Sequence, residues 1–264
     1  MNRKSDVSKE MDNSLVFSYL TFRKLIGISG MLLPLVLIIS TTRTENDKFI
    51  EHSISEYYYT SNGDVFVVLM SVLGVFLFTY NGYSWKERLL SSFAAIGALG
   101  VAFSPTATFV GNSASIHKTH THVPMIFGLF ERHFLFAGTF LISAALLSII
   151  FFPKLRTTDF GVIEKTRQKK ARNMIYRICG WTILGSIACI VLYFIIKPEL
   201  LKDMPVVFFF ETIAVEAFGI SWLTKGHTLI PNGEHDLKKA YKRAKGMIIR
   251  PNTVTNKSKE VAID

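Results

Sequence analysis

An apolar run of close to 20 residues recurs six times in this chain, at about 25–41, 64–83, 89–109, 134–152, 174–196 and 205–224. At 1.5 Å per residue, such a run coiled as a helix crosses the roughly 30 Å of hydrocarbon in a bilayer. Hydrocarbon offers the backbone no partner but itself, so helices are the form these runs are expected to take. The expected fold is all-α: a six-span transmembrane helix bundle over 25–224, with a polar segment 1–24 before it and a basic tail 225–264 after it. The intervening polar stretches, chiefly 42–63, 110–133 and 153–173, are too short to bury a core of their own. The first apolar run has no small-residue exit and reads as an uncleaved span.

A formal net charge of +10 raises nucleic acid as a partner, and the placement of that charge argues against it. Lys and Arg number 5 in residues 1–24, 2 in 84–88, 7 in 153–173 and 9 in 225–264, against 6 in the alternate loops. The charge follows topology, and the positive-inside rule puts both termini on the cytoplasmic face of a multi-pass protein of the cell membrane. In the tail, Leu237, Ala240, Tyr241, Ala244, Met247 and Ile248 recur at helical spacing between lysines and Arg243. That pattern predicts a cytoplasmic amphipathic helix lying on anionic lipid.

Within this frame the sixth run, PVVFFFETIAVEAFGISWLT, carries two carboxylates, Glu211 and Glu216. A charge facing lipid costs several kcal/mol, so each is expected to be sheltered. Five residues at 100° each set them about 140° apart, and one helix face cannot shelter both. Glu211 lies about 9 Å from the outer edge, within reach of water and of His133. Glu216 lies about 16 Å deep, on the face of Thr212 and Gly219. It is expected to be protonated and hydrogen-bonded inside the bundle, which leaves Glu211 as the functional carboxylate.

The outward stretches hold the remaining candidates. Residues 42–63 bring His52, Ser53, Ser55 and Glu56 before Tyr57, Tyr58 and Tyr59, and then Asn62-Gly63-Asp64, with Asp64 a good N-cap for the second span. The tyrosines fit an interfacial belt beside a solvated acidic loop, or a fold-back over the bundle mouth that makes a site of Ser55 and Glu56. His117, His120 and His122 suggest metal only weakly, and no metal or cofactor is assigned. His133, where the fourth span begins, is a helix-end cap or a partner of Glu211 or Glu56. His52, Ser55, Glu56 and His133 are expected to converge above spans two, four and six. Span three is lined with small residues from Ser91 to Ala102, as a closely packed central helix would be. The only cysteines, Cys179 and Cys189, lie about 15 Å apart along one helix and cannot pair.

The stretches His52-Ser53-Ile54-Ser55-Glu56-Tyr57-Tyr58, Tyr80-Asn81-Gly82-Tyr83, ERHFLFA from Glu131 to Ala137, and Ala217 to Trp222 resemble bacterial multi-pass membrane proteins of unknown function, the DUF998 family. That resemblance implies a helix bundle with an outward polar rim and no established reaction. Glu56 to Asn62 also resembles, more faintly, a segment of the alkaline ceramidase and adiponectin receptor superfamily, which are zinc-dependent. That superfamily carries a paired histidine motif on its last helix, and the last span here contains no histidine.

These features lead to a lipid-interacting or sensing membrane protein with an outward-facing polar rim, its partners membrane lipid and a small-molecule ligand. A proton-coupled small-molecule transporter would use Glu211 and Glu216. A membrane-embedded lipid hydrolase would use Ser55, Glu56, His133 and Glu211.

Overall fold

Residues 3 to 26 contain neither glycine nor proline, and a helix that starts there has nothing to stop it before the membrane. In the computed structural model it does not stop: α1 runs unbroken over Arg3–Ser40, with Pro34 inside it. The polar segment expected before the first span is, from Arg3 on, a continuation of that span as helix. The structure describes residues 3–41, 50–61, 63–104, 125–126, 130–154, 167–196, 198–201, 204–226 and 229. The amphipathic tail helix and the loop of His117, His120 and His122 lie outside these residues.

The described chain is helical apart from one short ladder. After α1 come a 3-10 helix over Ile54–Tyr59, α2 over Gly63–Thr79 and α3 over Trp85–Phe103. Strands β1 (Met125–Ile126) and β2 (Phe130–Glu131) then pair antiparallel, Met125 opposite Glu131 and Ile126 opposite Phe130. Next are α4 over Arg132–Leu146, continued by a π-helical turn Leu147–Phe151, then α5 over Arg167–Ile196 and α6 over Val206–Lys225. Four helical stretches are long and apolar enough to cross a membrane: Leu20–Ser40, Arg132–Phe151, Gln168–Ile196 and Val206–Lys225. Helix α2 is apolar but shorter. Asp64 falls in the first turn of α2 rather than before it, where its charge still faces the positive end of the helix dipole.

Each α-helix packs against its neighbours in sequence and α6 returns to α1, which closes the six into a ring. Helix α3 sits in that ring between α2 and α4, so its small residues serve two flanking interfaces and not the central position expected for them. Ala94, Ala95, Ala98 and Ala102 are fully buried, and a Cβ on Gly97 would stand 2.5 Å from the backbone N of Phe140. The α1–α6 crossing is equally close, since a Cβ on Gly27 would lie 2.9 Å from the Gly219 carbonyl. Without a hydrophobic drive between helices in lipid, such backbone proximity is what supplies contact. The ring interior is aromatic: Trp222 meets Tyr80 at 4.8 Å and Phe152 at 5.1 Å between ring centroids, both edge-on.

Candidate functional site

Both termini of a helix leave backbone groups without intrahelical partners, and at one end of the ring these groups are paired with polar side chains. Ser53 caps the 3-10 helix, its Oγ accepting from Glu56 N at 3.2 Å. Glu56 reaches back, its Oε2 accepting from His52 N at 3.0 Å. This is the reciprocal logic of a capping box, written in sequence as Ser-x-x-Glu. Two further bonds fasten the segment to α6: Phe208 N donates to the His52 carbonyl at 2.8 Å, and Ile54 N donates to Glu211 Oε2 at 2.7 Å. Each donor is an N–H that its own helix start leaves free.

Ser55 points to the other side of the site, where its Oγ lies 2.8 Å from His133 Nε2. His133 stands in the first turn of α4, and its Nδ1 is 2.8 Å from the carbonyl of Ser104, the residue that ends α3. A carbonyl only accepts, so Nδ1 carries the proton, and in the neutral ring Nε2 then accepts the Ser55 hydroxyl proton. Ser55 is 6% exposed and His133 3%, so little solvent competes for these bonds. The result is a hydroxyl, a base and an orienting acceptor in line, the arrangement that activates a nucleophile. The orienting acceptor here is a neutral carbonyl, which fixes the imidazole tautomer without the charge a carboxylate would add.

Two carboxyl groups, buried Glu56 and half-buried Glu211, supply the site with hydrogen-bond acceptors. Burial pushes the Tyr57 phenol above its ordinary pKa, with partial relief from the neighbouring Glu51 backbone, so the hydroxyl stays protonated.

The structure therefore gathers these residues on the 52–56 segment: Ser55 bonds His133, Glu56 bonds His52 N, and Ile54 N bonds Glu211. Glu216 stands apart. It is half-buried, on a side of α6 where Phe209, Ile213, Ile220 and Leu223 are likewise exposed or half-buried. The hydrogen bond expected for it inside the bundle is not made with any described residue, because the buried face of α6 runs through Ala214, Phe218 and Trp222. Ser53 belongs to the site as a helix cap, a role the sequence reading of 42–63 does not give it, and Ser104 belongs to it without having been a candidate. The Ser-x-x-Glu spacing gives the first away, whereas the second contributes only a carbonyl, which no side-chain pattern reveals. Among the described residues no group of three or more His, Cys, Asp or Glu is placed to hold a metal. No family model, curated protein or solved structure matches the chain, and the site is read from its own geometry.

Proposed function

We propose that the chain is a six-span integral membrane protein with both termini cytoplasmic, whose outward polar rim engages a lipid headgroup. The carrying observation is the juxtaposition at one end of the ring of the group Ser55, Glu56, His133 and Glu211 with helix faces that are apolar, among them exposed Val68, Val72, Phe134, Leu135 and Phe209. A molecule that meets both surfaces has a polar head and an apolar tail. The carboxyl acceptors of Glu56 and Glu211 favour a headgroup that donates hydrogen bonds through hydroxyls or an ammonium. Support for six spans comes from α2 and α3 standing in the same ring as the long apolar helices. Support for the orientation comes from the bias of Lys and Arg.

Native mass spectrometry of the detergent-purified protein is expected to find lipid retained by the wild type. Glu211→Ala removes the acceptor of a hydrogen bond that seats the Ile54 segment and leaves the Ile54 N–H without it, a loss of about 1–3 kcal/mol, and is expected to retain lipid about tenfold more weakly. Wild-type protein without lipid, or a variant that keeps all of it, would refute the reading.

A lipid hydrolase is the second reading, favoured by the line from Ser55 through His133 to the Ser104 carbonyl. Ser55 Oγ would attack an ester or amide carbonyl as its proton passes to His133 Nε2. His133 would return that proton to the leaving alcohol or amine, and water would then release the acyl group from Ser55. A fluorophosphonate probe is expected to label the wild type at Ser55 and to leave Ser55→Ala and His133→Ala unlabelled. Folded wild-type protein that resists the probe removes this reading. A transporter is disfavoured, because Glu211 is engaged by Ile54 N and Glu216 lies on a different side of α6, so the two carboxylates do not share one path.

A further inference from the structure

At the end of the ring away from Ser55, two cations turn inward and a third turns out. Arg23 on α1 is 1% exposed and Lys225 at the end of α6 is 6% exposed. Both have partners inside the ring: Arg23 Nη1 donates to the Lys225 carbonyl at 3.3 Å, and the Lys225 ammonium lies 3.8 Å from Glu87 Oε1 and 4.7 Å from the Phe152 ring. The start of α5 packs at this same end, its Tyr176 5.4 Å from Phe152 between ring centroids. Arg177, the next residue, is exposed, and so are Met174, Ile178 and Trp181 around it.

Lys170, Asn173, Arg177 and Trp181 follow one another at intervals of three and four residues, so they share one face of α5. With Met174 and Ile178 they line a groove of about 820 Å³ along that face. Among the described residues no carboxylate lines the groove, and the side chains of Lys170, Asn173 and Arg177 make no hydrogen bond or ion pair. Helix length sets the depth at which these groups sit. The 30 residues of α5 extend about 45 Å, about 15 Å more than the hydrocarbon is thick. Counting back from Ile196, the roughly 20 residues that cross the hydrocarbon end at Arg177. Asn173 and Lys170 then lie about 6 and 10 Å outside that boundary, at the level of the headgroups, and Trp181 lies about 6 Å inside it, near the level where an indole is favoured.

We propose that this face of α5 is a docking site for one anionic phospholipid, its phosphate held by Arg177 and Lys170 with the Asn173 amide, and one acyl chain lying along Met174, Ile178 and Trp181. The groove offers donors and two positive charges outside the hydrocarbon boundary and apolar surface inside it, which is the complement of a negative headgroup on a hydrocarbon chain. The planar guanidinium matches phosphate oxygens in pairs. An arginine exposed at the edge of hydrocarbon is costly without such an anion. A second copy of the chain seated by the same face would instead set Arg177 and Lys170 against like charges. The site uses no residue of the outward rim and stands under either reading of it.

The test uses the full chain in phosphatidylcholine nanodiscs, with lipids brominated on the acyl chain, which quench an indole that they touch. Brominated phosphatidylglycerol is expected to quench the tryptophan fluorescence at a mole fraction about twentyfold lower than brominated phosphatidylcholine. Trp181→Phe, which leaves Trp85 and Trp222 to emit, is expected to lose that difference. Arg177→Gln and Lys170→Gln, at exposed positions where folding is not at stake, are each expected to reduce the preference about fivefold. Arg177→Lys keeps the charge without the fork and is expected to reduce it less. The comparison variant Lys238→Gln/Lys239→Gln, in the tail, should keep the full preference. Equal quenching by the two lipids, a full preference in Arg177→Gln/Lys170→Gln, or an equal loss in the tail variant would each overturn the proposal. A dimer in native mass spectrometry that Arg177→Gln dissociates would overturn it too, by giving the face to a second copy.

Discussion

Glu87→Ala is expected to cost about 3–5 kcal/mol of stability, the range for removing one partner of a buried ion pair and leaving the other charged. Two hydrogen bonds end on this carboxylate, from Tyr80 OH and Tyr83 N, Lys225 Nζ pairs with it at 3.8 Å, and the residue is 2% exposed. It also completes the start of α3, where Ser84 Oγ accepts from Glu87 N at 3.2 Å and the carboxylate returns to Tyr83 N. Helix cap, turn and charge pair therefore fail together. Thermal unfolding in detergent measures the loss, with Glu199→Ala as the exposed comparison. Glu87→Gln keeps an acceptor for Tyr83 N and is expected to lose less. The double variant Glu87→Ala/Lys225→Met is expected to recover part of the loss, because it no longer buries an unmatched ammonium. A Glu87→Ala protein as stable as Glu199→Ala would mean that the pair contributes nothing and that this end of the ring is held by its aromatic rings alone.

Gly97→Ala is expected to separate α3 from α4 at a cost of about 3 kcal/mol, large for a single methyl group. The added carbon would lie 2.5 Å from Phe140 N and 2.8 Å from Phe136 O, which are backbone atoms and cannot rotate aside as a side chain can. The helices must move apart, and the fully buried alanines on α3 lose their contacts with them. Gly138 on α4 and Gly185 on α5 provide the comparison, since a Cβ at either position meets nothing within 4 Å. Alanine there relieves the cost of a glycine inside a helix, and a gain of about 0.5–1 kcal/mol is expected. Equal Tm values for Gly97→Ala and Gly138→Ala would show that the α3–α4 approach is slack.

The two capping boxes show how far local pattern reaches. Ser53-Ile-Ser-Glu56 and Ser84-Trp-Lys-Glu87 follow one rule, and each serine oxygen accepts the N–H of the glutamate three residues on. A spacing of three is a property of neighbouring residues and is visible in the chain alone. What each box is fastened to is not visible there. Ser55 meets His133 from 78 residues away, Ile54 meets Glu211 from 157, and Arg23 meets the Lys225 carbonyl from 202.

Arg23 and Lys225 illustrate the limit most directly. A lysine or arginine at the cytoplasmic end of a span satisfies the positive-inside bias whether it points to water or into the ring, so sequence treats both residues as markers of orientation. Glu216 fails in the opposite sense, since expense in hydrocarbon argues for shelter and α6 turns its buried face elsewhere. Apolar run length, helix-compatible composition and charge bias are additive along the chain, and they alone determined that this is a helical protein with spans suited to a membrane. Which helices neighbour one another, which cations are buried, and that a serine before the second helix meets a histidine at the start of the fourth were decided only by the closure of the ring. Those pairings depend on backbone approach at Gly27, Gly97 and Gly219 and on helix rotation, and each is set by contacts between residues far apart in sequence.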